Sequence, residues 1–151
     1  MPGGVRCPEV GPARGRPARA PESHDLFAAA WVAAWNSHDV ERILAHYAPE
    51  VAYHSPFVAG LGRRLGGALF GRAALRQYVE ACLRRYPELR FRLLHVYAGV
   101  GSLVIEYESV NGLRAAEALV LDGAGRGCQV FCHYRSGEGP APSSPPGARP
   151  S

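Results

Sequence analysis

From Leu89 to Arg135 the apolar residues recur at about every second position, which is the period of a half-buried β-strand. Turn-forming residues divide this segment into four predicted strands, at about 89–98, 101–110, 113–122 and 127–135. Asn111-Gly112 between apolar runs is a strong hairpin signal, and Gly99-Val100 suits a type II′ turn. Strands joined by turns this short pair antiparallel, so the segment predicts an antiparallel meander.

The residues before this meander follow the helical period instead. Apolar residues line one stripe of each of three predicted helices, of which the third begins near Arg72. Ser23 is a suitable N-cap for the first helix, while Pro49 ends the second and Pro87 ends the third. Val51 to Ser55 alternates as a further strand. Helices followed by a run of strands predict an α+β domain, with about three helices packed on one face of a bent antiparallel sheet.

Both ends of the chain have few large apolar side chains. Residues 1–22 are rich in Pro, Gly, Arg and Ala, and residues 136–151 in Pro, Ser and Gly. Such segments bury too little surface to offset the entropy of ordering them, so we expect disordered tails around one domain at 23–135. Residues 56–71 hold five glycines and predict a loop long enough to suspect a function, without the glycine spacing of a nucleotide-binding loop.

The charge pattern argues against several classes of partner. The net charge of +4 comes from 17 basic residues, all Arg, against 13 acidic ones, and four of the Arg residues lie in the N-terminal tail. Because the rest are scattered, we expect no nucleic-acid partner. No apolar run approaches the roughly 20 residues of a membrane span, and the first 22 residues lack the apolar core of a signal peptide, so we expect a cytoplasmic protein that binds no membrane. No His, Cys, Asp or Glu spacing suggests a metal, and we expect no cofactor.

The two turns set the register of the predicted strands. With Asn111-Gly112 as a two-residue turn, Glu106 lies directly opposite Glu117. With Gly99-Val100 as the other turn, Leu93 pairs with Glu106. One face then collects His95, Glu106 and Glu117 among apolar residues, and the other mixes Arg residues with Leu103, Ile105, Tyr107 and Val120. We expect the first face to pack on the helices.

On that face the acidic residues predict proton-transfer chemistry. Two carboxylates close together in low dielectric repel, so the pKa of one of them rises and it keeps its proton to a higher pH than a free glutamate does. A nearby imidazole can share that proton. The catalytic candidates are therefore Glu117, Glu106 and His95. The alternative is that this face is wet and the other one packs, because buried unpaired acids are costly. His95 alone is more often a core histidine than a catalyst.

Aromatic and hydroxyl residues near the first strand and the helices are the candidate ligand-binding residues, since aromatic side chains commonly line pockets. Tyr53 and Ser55 would orient a ligand, and the walls would come from Trp31, Trp35, Phe57 and Tyr78. At helical spacing Trp31 and Trp35 are more often core residues than a ligand platform. His54 is interpreted as a surface residue.

The order of elements and several short segments resemble the nuclear transport factor 2-like superfamily, and most closely its bacterial SnoaL-like members. The segments that carry the resemblance are Trp35-Asn36-Ser37-His38-Asp39, Tyr47-Ala48-Pro49-Glu50-Val51, Tyr53-His54-Ser55-Pro56-Phe57, Gly71-Arg72, Ser109-Val110-Asn111-Gly112 and the closing His133-Tyr134. The resemblance implies a cone-shaped sheet wrapped around helices, with a pocket at its open end and often a dimer.

Members of that superfamily include ketosteroid isomerases, polyketide cyclases, epoxide hydrolases, dehydratases and non-catalytic modules. By resemblance, the isomerases' general base falls at Ser55, their oxyanion-hole tyrosine at Trp31 and their protonated acid at Glu117. Ser55 is too weak a base for steroid isomerisation, so that activity is not expected. Three hypotheses follow: an acid–base enzyme for a small apolar oxygenated molecule, a non-catalytic binding module, and a homodimerising interaction protein that uses Leu103, Ile105 and Val120.

Overall fold

The computed structural model describes residues 21–60 and 67–137, and for residues 21, 22, 59 and 60 it describes the backbone alone. Helices and strands alternate along these two segments before the chain ends in a run of four strands. In chain order the elements are α1 (Pro21–Ser37), α2 (Val40–Leu44), β1 (Tyr47–His54), α3 (Pro56–Gly60), β2 (Ala68–Phe70), α4 (Arg72–Arg85), β3 (Arg92–Ala98), β4 (Ser102–Glu108), β5 (Arg114–Leu121) and β6 (Gly127–Tyr134).

The six strands form one open sheet in the order β2-β1-β6-β5-β4-β3. Neighbouring strands pair antiparallel except β1 and β6, which are parallel. The apolar stripes of α1 and α4 join the inner face of the sheet in a single core. The predicted α+β fold, a cone-shaped sheet packed on helices, is confirmed, with a mixed sheet and a fourth, short helix. None of the helices in the described segments is both long and apolar enough to cross a membrane.

The first two helices have other bounds than predicted: α2 ends at Leu44, and Pro49, which was predicted to end it, lies inside β1. α1 begins at Pro21, two residues before the predicted cap Ser23, and after its end His38 takes a positive φ of 59°. Asp39 caps α2, because its carboxylate accepts the backbone N–H groups of Glu41 and Arg42, which have no partner inside the helix. The tails predicted to be disordered fall, apart from residues 21, 22, 136 and 137, outside the described residues.

The glycine-rich segment predicted as a loop contains two short elements, α3 and β2. β2 pairs with the end of β1, as in Tyr53 opposite Leu69. Gly71 then starts α4 with φ 86° and ψ 153°, a conformation that is essentially restricted to glycine. Residues 61–66, the centre of the predicted loop, lie outside the described residues.

The predicted register of β4 and β5 is wrong by one residue. Glu117 lies opposite Ile105, and Glu106 lies opposite Ala116. The turn uses three residues rather than two: Asn111 and Gly112 both take positive φ, and the N–H of Ser109 donates to the carbonyl of Leu113. Since side chains alternate between the faces of a strand, one extra turn residue puts the two glutamates on opposite sides of the sheet.

The register of β3 also differs from the prediction. The turn before β4 is Val100-Gly101, one position after the predicted Gly99-Val100, with the N–H of Gly99 donating to the carbonyl of Ser102. The pairing also shifts between Leu93 and His95, as at a β-bulge. His95 pairs with Glu106, shares its outer face and is exposed.

In β4 the face predicted to be outside is therefore the core, whereas in β5 the face predicted to pack on the helices does so. Leu103, Ile105 and Tyr107 of β4 are buried, together with Ala115, Glu117 and Leu119 of β5. The proposed dimer strip of Leu103, Ile105 and Val120 is wrong for its first two members, because only Val120 lies on the outer face. Burial of Leu103, Ile105 and Tyr107 stabilises the fold more than burial of Val104, Glu106 and Glu108 would, since apolar area removed from water is the main favourable contribution.

Candidate functional site

Glu117 lies at the centre of the inner face of β5 and is only 1% exposed. Its Oε1 accepts a hydrogen bond from the hydroxyl of Tyr47 on β1 at 3.3 Å. Its Oε2 accepts one from the hydroxyl of Tyr107 on β4 at 3.4 Å. The thiol of Cys132, which is its neighbour across the β5–β6 pair, also faces the carboxylate. Side chains from three other strands of the sheet, β1, β4 and β6, thus converge on a single buried carboxyl group.

Burial raises the pKa of Glu117 to about 7, and the hydrogen bonds from Tyr47, Cys132 and Tyr107 offset part of that rise. Desolvation disfavours the charged form of an acid. No basic side chain in the described segments pairs with this carboxylate. Near neutral pH its protonated and ionised forms are therefore both populated, so it can give or take a proton.

Trp31 contacts the hydroxyl of Tyr47, which also contacts Glu117. Its indole N–H donates to the Tyr47 hydroxyl at 2.9 Å, and both side chains are almost fully buried. The Trp31 ring lies near those of Phe91 and Tyr107, with centroid distances of 5.7 and 5.0 Å. These ring contacts leave the indole little freedom to turn away from Tyr47.

The other inner tyrosines are neutral hydroxyls. Burial raises the pKa of Tyr53 and Tyr78 well above the usual value. Tyr53 accepts a hydrogen bond from the thiol of Cys132 at 3.2 Å, and Tyr78 lies within hydrogen-bonding reach of Ser55. Because they stay protonated, these groups act as hydrogen-bond donors and acceptors and carry no charge.

A cavity opens onto this cluster. Its empty volume is about 370 Å³ with the open mouth included, and the part that is wide enough for a water molecule is small. Its walls are mostly aromatic, and its polar groups include Glu117 and Tyr107. The lining residues are Trp35, Tyr53, Phe57, Tyr78, Cys82, Tyr86, Leu89, Phe91, Tyr107, Ser109, Val110, Glu117 and Tyr134.

Four of the six predicted ligand-binding residues line this cavity: Trp35, Tyr53, Phe57 and Tyr78. Trp31 and Ser55 are buried behind the wall. The hydroxyl oxygen of Ser55 accepts the backbone N–H of Phe57 at 3.2 Å, so Ser55 holds the start of α3. An effect of Trp31 or Ser55 on a ligand would pass through the residues that they support.

Glu106 and His95 form a separate cluster on the outer face. Glu106 accepts hydrogen bonds, each 3.1 Å long, from His95, Tyr97 and Arg114. The Arg114 guanidinium and the Tyr97 hydroxyl hold the pKa of Glu106 below its usual range, so this carboxylate stays ionised. The predicted trio is therefore divided by the sheet, and Glu117 is its only member in the cavity.

A comparison with models of known protein families identifies the family of this chain. A family model described as SnoaL-like domain matches residues 28–137. The chain belongs to the SnoaL-like domain family. The resemblance inferred from the sequence is thereby confirmed. No curated protein gives a significant match.

Solved structures similar to this SnoaL-like domain include a SnoaL-like protein of unknown function from Burkholderia thailandensis E264. It is 29% identical with a TM-score of 0.75, covering 80% of this chain and 100% of that one. A protein of unknown function with a cystatin-like fold, from Methylobium petroleophilum PM1, is 17% identical with a TM-score of 0.63, covering 82% of each chain. The epoxide hydrolase/cyclase-like enzyme SalBIII, which has a role in pyran ring formation in the polyether salinomycin, is 15% identical with a TM-score of 0.61, covering 78% of this chain and 94% of that one. The last two likenesses concern the fold alone.

Sequence reasoning missed Tyr47, Tyr107 and Cys132 as partners of Glu117 in this SnoaL-like domain. Tyr47 begins β1, which starts before the strand predicted at Val51 to Ser55. Tyr107 was assigned to the outer face because of the register error. The alternation of Leu103, Ile105 and Tyr107 was the available signal, since that face of β4 is more apolar than its opposite.

Proposed function

We propose that this SnoaL-like domain binds a small, apolar, oxygen-containing molecule in the cavity and transfers a proton to or from it through Glu117. The observation that carries the proposal is one carboxyl group, buried at an aromatic cavity, whose pKa of about 7 suits both acid and base catalysis. It is also the only carboxyl group among the described lining residues.

The ligand class follows from the walls. Aromatic and aliphatic side chains form most of the lining and favour an apolar skeleton. The protonated form of Glu117 and the hydroxyl of Tyr107 are both donors, and they favour a ligand oxygen such as that of a ketone, an epoxide or an alcohol. A ligand with such an oxygen on an apolar skeleton is larger than the free part of the cavity. Lining side chains such as Phe57 and Tyr86 would therefore move when the ligand enters.

The chemistry that fits one such group is proton transfer in either direction. When neutral, Glu117 can protonate a leaving or ring oxygen, and when ionised it can accept a proton from carbon or from water. Isomerisation of an enone, opening of an epoxide and loss of water from a hydroxyketone all need such a step. The contribution of one positioned acid or base is about 100- to 10,000-fold in rate.

The test is a panel of three probes: a steroid enone, a terpene epoxide and a polyketide hydroxyketone. Quenching of tryptophan fluorescence reports binding, because Trp35 lines the cavity. Mass spectrometry in D₂O reports product and incorporated deuterium. For any probe that reacts, Glu117→Gln should lower the rate by at least about 100-fold, while Glu106→Gln is the matched control on the outer face and should keep it. Equal rates for wild type and Glu117→Gln would contradict the proposal.

The alternative is a binding module without catalysis. What favours it is that Glu117 has no acid–base partner among the described lining residues, because Glu106 and His95 lie on the outer face. In that case a probe would quench fluorescence equally in wild type and in Glu117→Gln, and no probe would exchange deuterium. The cytoplasmic location stays a prediction in either case.

The proposal includes a homodimer formed through the outer face of the sheet. Phe131 is 38% exposed and Phe70 is 57% exposed, and the ring of His54 stacks on that of Phe131 at 4.5 Å. Exposed apolar rings that lie together on the surface are typical of association sites. By light scattering, wild type should be a dimer and Phe131→Glu a monomer, while Val100→Glu, on an exposed turn, should remain a dimer. A monomeric wild type at micromolar concentration would contradict this part.

A further inference from the structure

We propose that Trp31 and Tyr47 are positioning residues that determine which oxygen of Glu117 carries the exchangeable proton, and that this oxygen is Oε2. The inference rests on the proposed acid–base role of Glu117 and assigns the atom that performs it.

The direction of the first hydrogen bond is fixed by chemistry. An indole N–H donates and never accepts, so Trp31 must donate to the Tyr47 oxygen, at 2.9 Å. Tyr47 is fully buried, and its hydroxyl has a single hydrogen. That hydrogen points away from Trp31 and toward the acceptor on the other side, Oε1 of Glu117 at 3.3 Å.

This direction places the proton of neutral Glu117. A hydrogen on Oε1 would face the hydrogen of the Tyr47 hydroxyl. Turning the hydroxyl away would leave a buried O–H without its acceptor, at a cost of about 1–3 kcal/mol. Oε1 therefore accepts from Tyr47 in both protonation states, and the proton of the neutral acid lies on Oε2.

Oε2 is also the oxygen on the cavity side. It lies 3.4 Å from the hydroxyl of Tyr107, and Tyr107 lines the cavity together with Glu117, whereas Tyr47 and Trp31 do not. Tyr107 has a second partner, because its hydroxyl also interacts with that of Tyr134, another lining residue. It can donate to Oε2 when Glu117 is ionised, and can accept from Oε2 and donate to Tyr134 when Glu117 is neutral.

The groups that face Glu117 from the neighbouring strands are Tyr47 on β1, Tyr107 on β4 and Cys132 on β6. All three carry hydrogens and are neutral, since burial raises the pKa of each well above its usual value. Cys132 also has another acceptor, the hydroxyl of Tyr53 at 3.2 Å. None of them competes with Tyr47 by placing a charge beside the carboxyl group.

The test reads the two oxygens separately, without any substrate. In infrared difference spectra of protein labelled with ¹³C-glutamate, recorded below and above the Glu117 titration, the carbonyl stretch of the protonated acid is assigned by its loss in Glu117→Gln. A carbonyl that loses a hydrogen-bond donor vibrates at higher frequency. If the proton is on Oε2, Oε1 is the carbonyl oxygen. Tyr47→Phe should then raise the frequency, and Tyr107→Phe should leave it nearly unchanged.

Two further variants define the result. Trp31→Phe should broaden or split the band, because the Tyr47 hydroxyl becomes free to turn. Tyr53→Phe removes an equally buried hydroxyl that contacts Cys132 and should leave the band unchanged. A frequency that rises in Tyr107→Phe and stays constant in Tyr47→Phe would place the proton on Oε1 and overturn the proposal, even if Trp31→Phe fails to fold.

The outcome is independent of turnover. A band that responds as expected, in a protein whose Glu117→Gln variant keeps full activity, would support the positioning role and refute the acid–base function. If instead the band does not respond as expected and Glu117→Gln loses activity, Glu117 remains the acid–base group, and Trp31 and Tyr47 do not position its proton.

Discussion

Ionisation of Glu117 should weaken the folded protein as the pH rises. The folded state raises the pKa of this group from 4.5 to about 7, so between these values the folded protein holds a proton that the unfolded chain releases. Stability therefore decreases with rising pH across this window and levels off above it. One pKa unit is worth about 1.4 kcal/mol, so the full loss is about 3 kcal/mol.

The matched variant is Glu117→Gln, which has nearly the same shape and does not titrate. Urea unfolding followed by tryptophan fluorescence suits the assay, because Trp31 and Trp35 are both buried. Between pH 5 and pH 8 the wild type should lose about 2–3 kcal/mol relative to the variant, since at pH 5 an unfolded glutamate is already largely ionised. Groups that titrate in both proteins cancel in this difference.

Parallel stability curves for the two proteins would refute the reasoning. They would mean that Glu117 ionises as easily in the folded protein as in the unfolded chain. A difference that increased in the other direction, with the wild type gaining stability as the pH rises, would require an unseen positive partner near the carboxylate.

Other parts of the molecule give three further predictions. Glu106→Gln should change the urea midpoint little, because exposed ion pairs contribute little, and a large loss would show that the outer cluster holds the sheet together. Gly71→Ala should cost about 1–3 kcal/mol because of its φ of 86° and ψ of 153°, whereas Gly123→Ala, whose φ lies outside the left-handed region and which has open space around it, should change stability little; equal losses would contradict the backbone argument. Leu75→Ala, fully buried, should cost about 2–5 kcal/mol, and exposed Leu26→Ala far less, both by thermal unfolding.

Much of the fold could be predicted because periodicity and turn residues act locally. The change from helical to strand period near Leu89 and the stop signal at Pro87 follow from the sequence alone. The parallel pairing of β1 with β6 does not, because it joins residues about 80 positions apart, such as Tyr47 and Gly127, and no short-range signal specifies it.

The candidate site was harder because it depends on register. Asn111-Gly112 is compatible with turns of two or three residues, and the choice between them decides whether Glu106 points inward. The three-residue turn is the more stable one because it buries Ile105 and Tyr107 and leaves Glu106 beside Arg114. The packing of the whole sheet therefore selects the three-residue turn, which the turn residues alone do not specify.

The most direct test of the account is the pKa of Glu117 itself, measured by NMR of the ¹³C-labelled side-chain carboxyl and assigned with Glu117→Gln. The account predicts a midpoint of about 7 in the folded, ligand-free protein. A midpoint near the ordinary value of 4.5 would mean that the carboxylate is solvated or paired, and that it has no proton to exchange with a ligand at neutral pH.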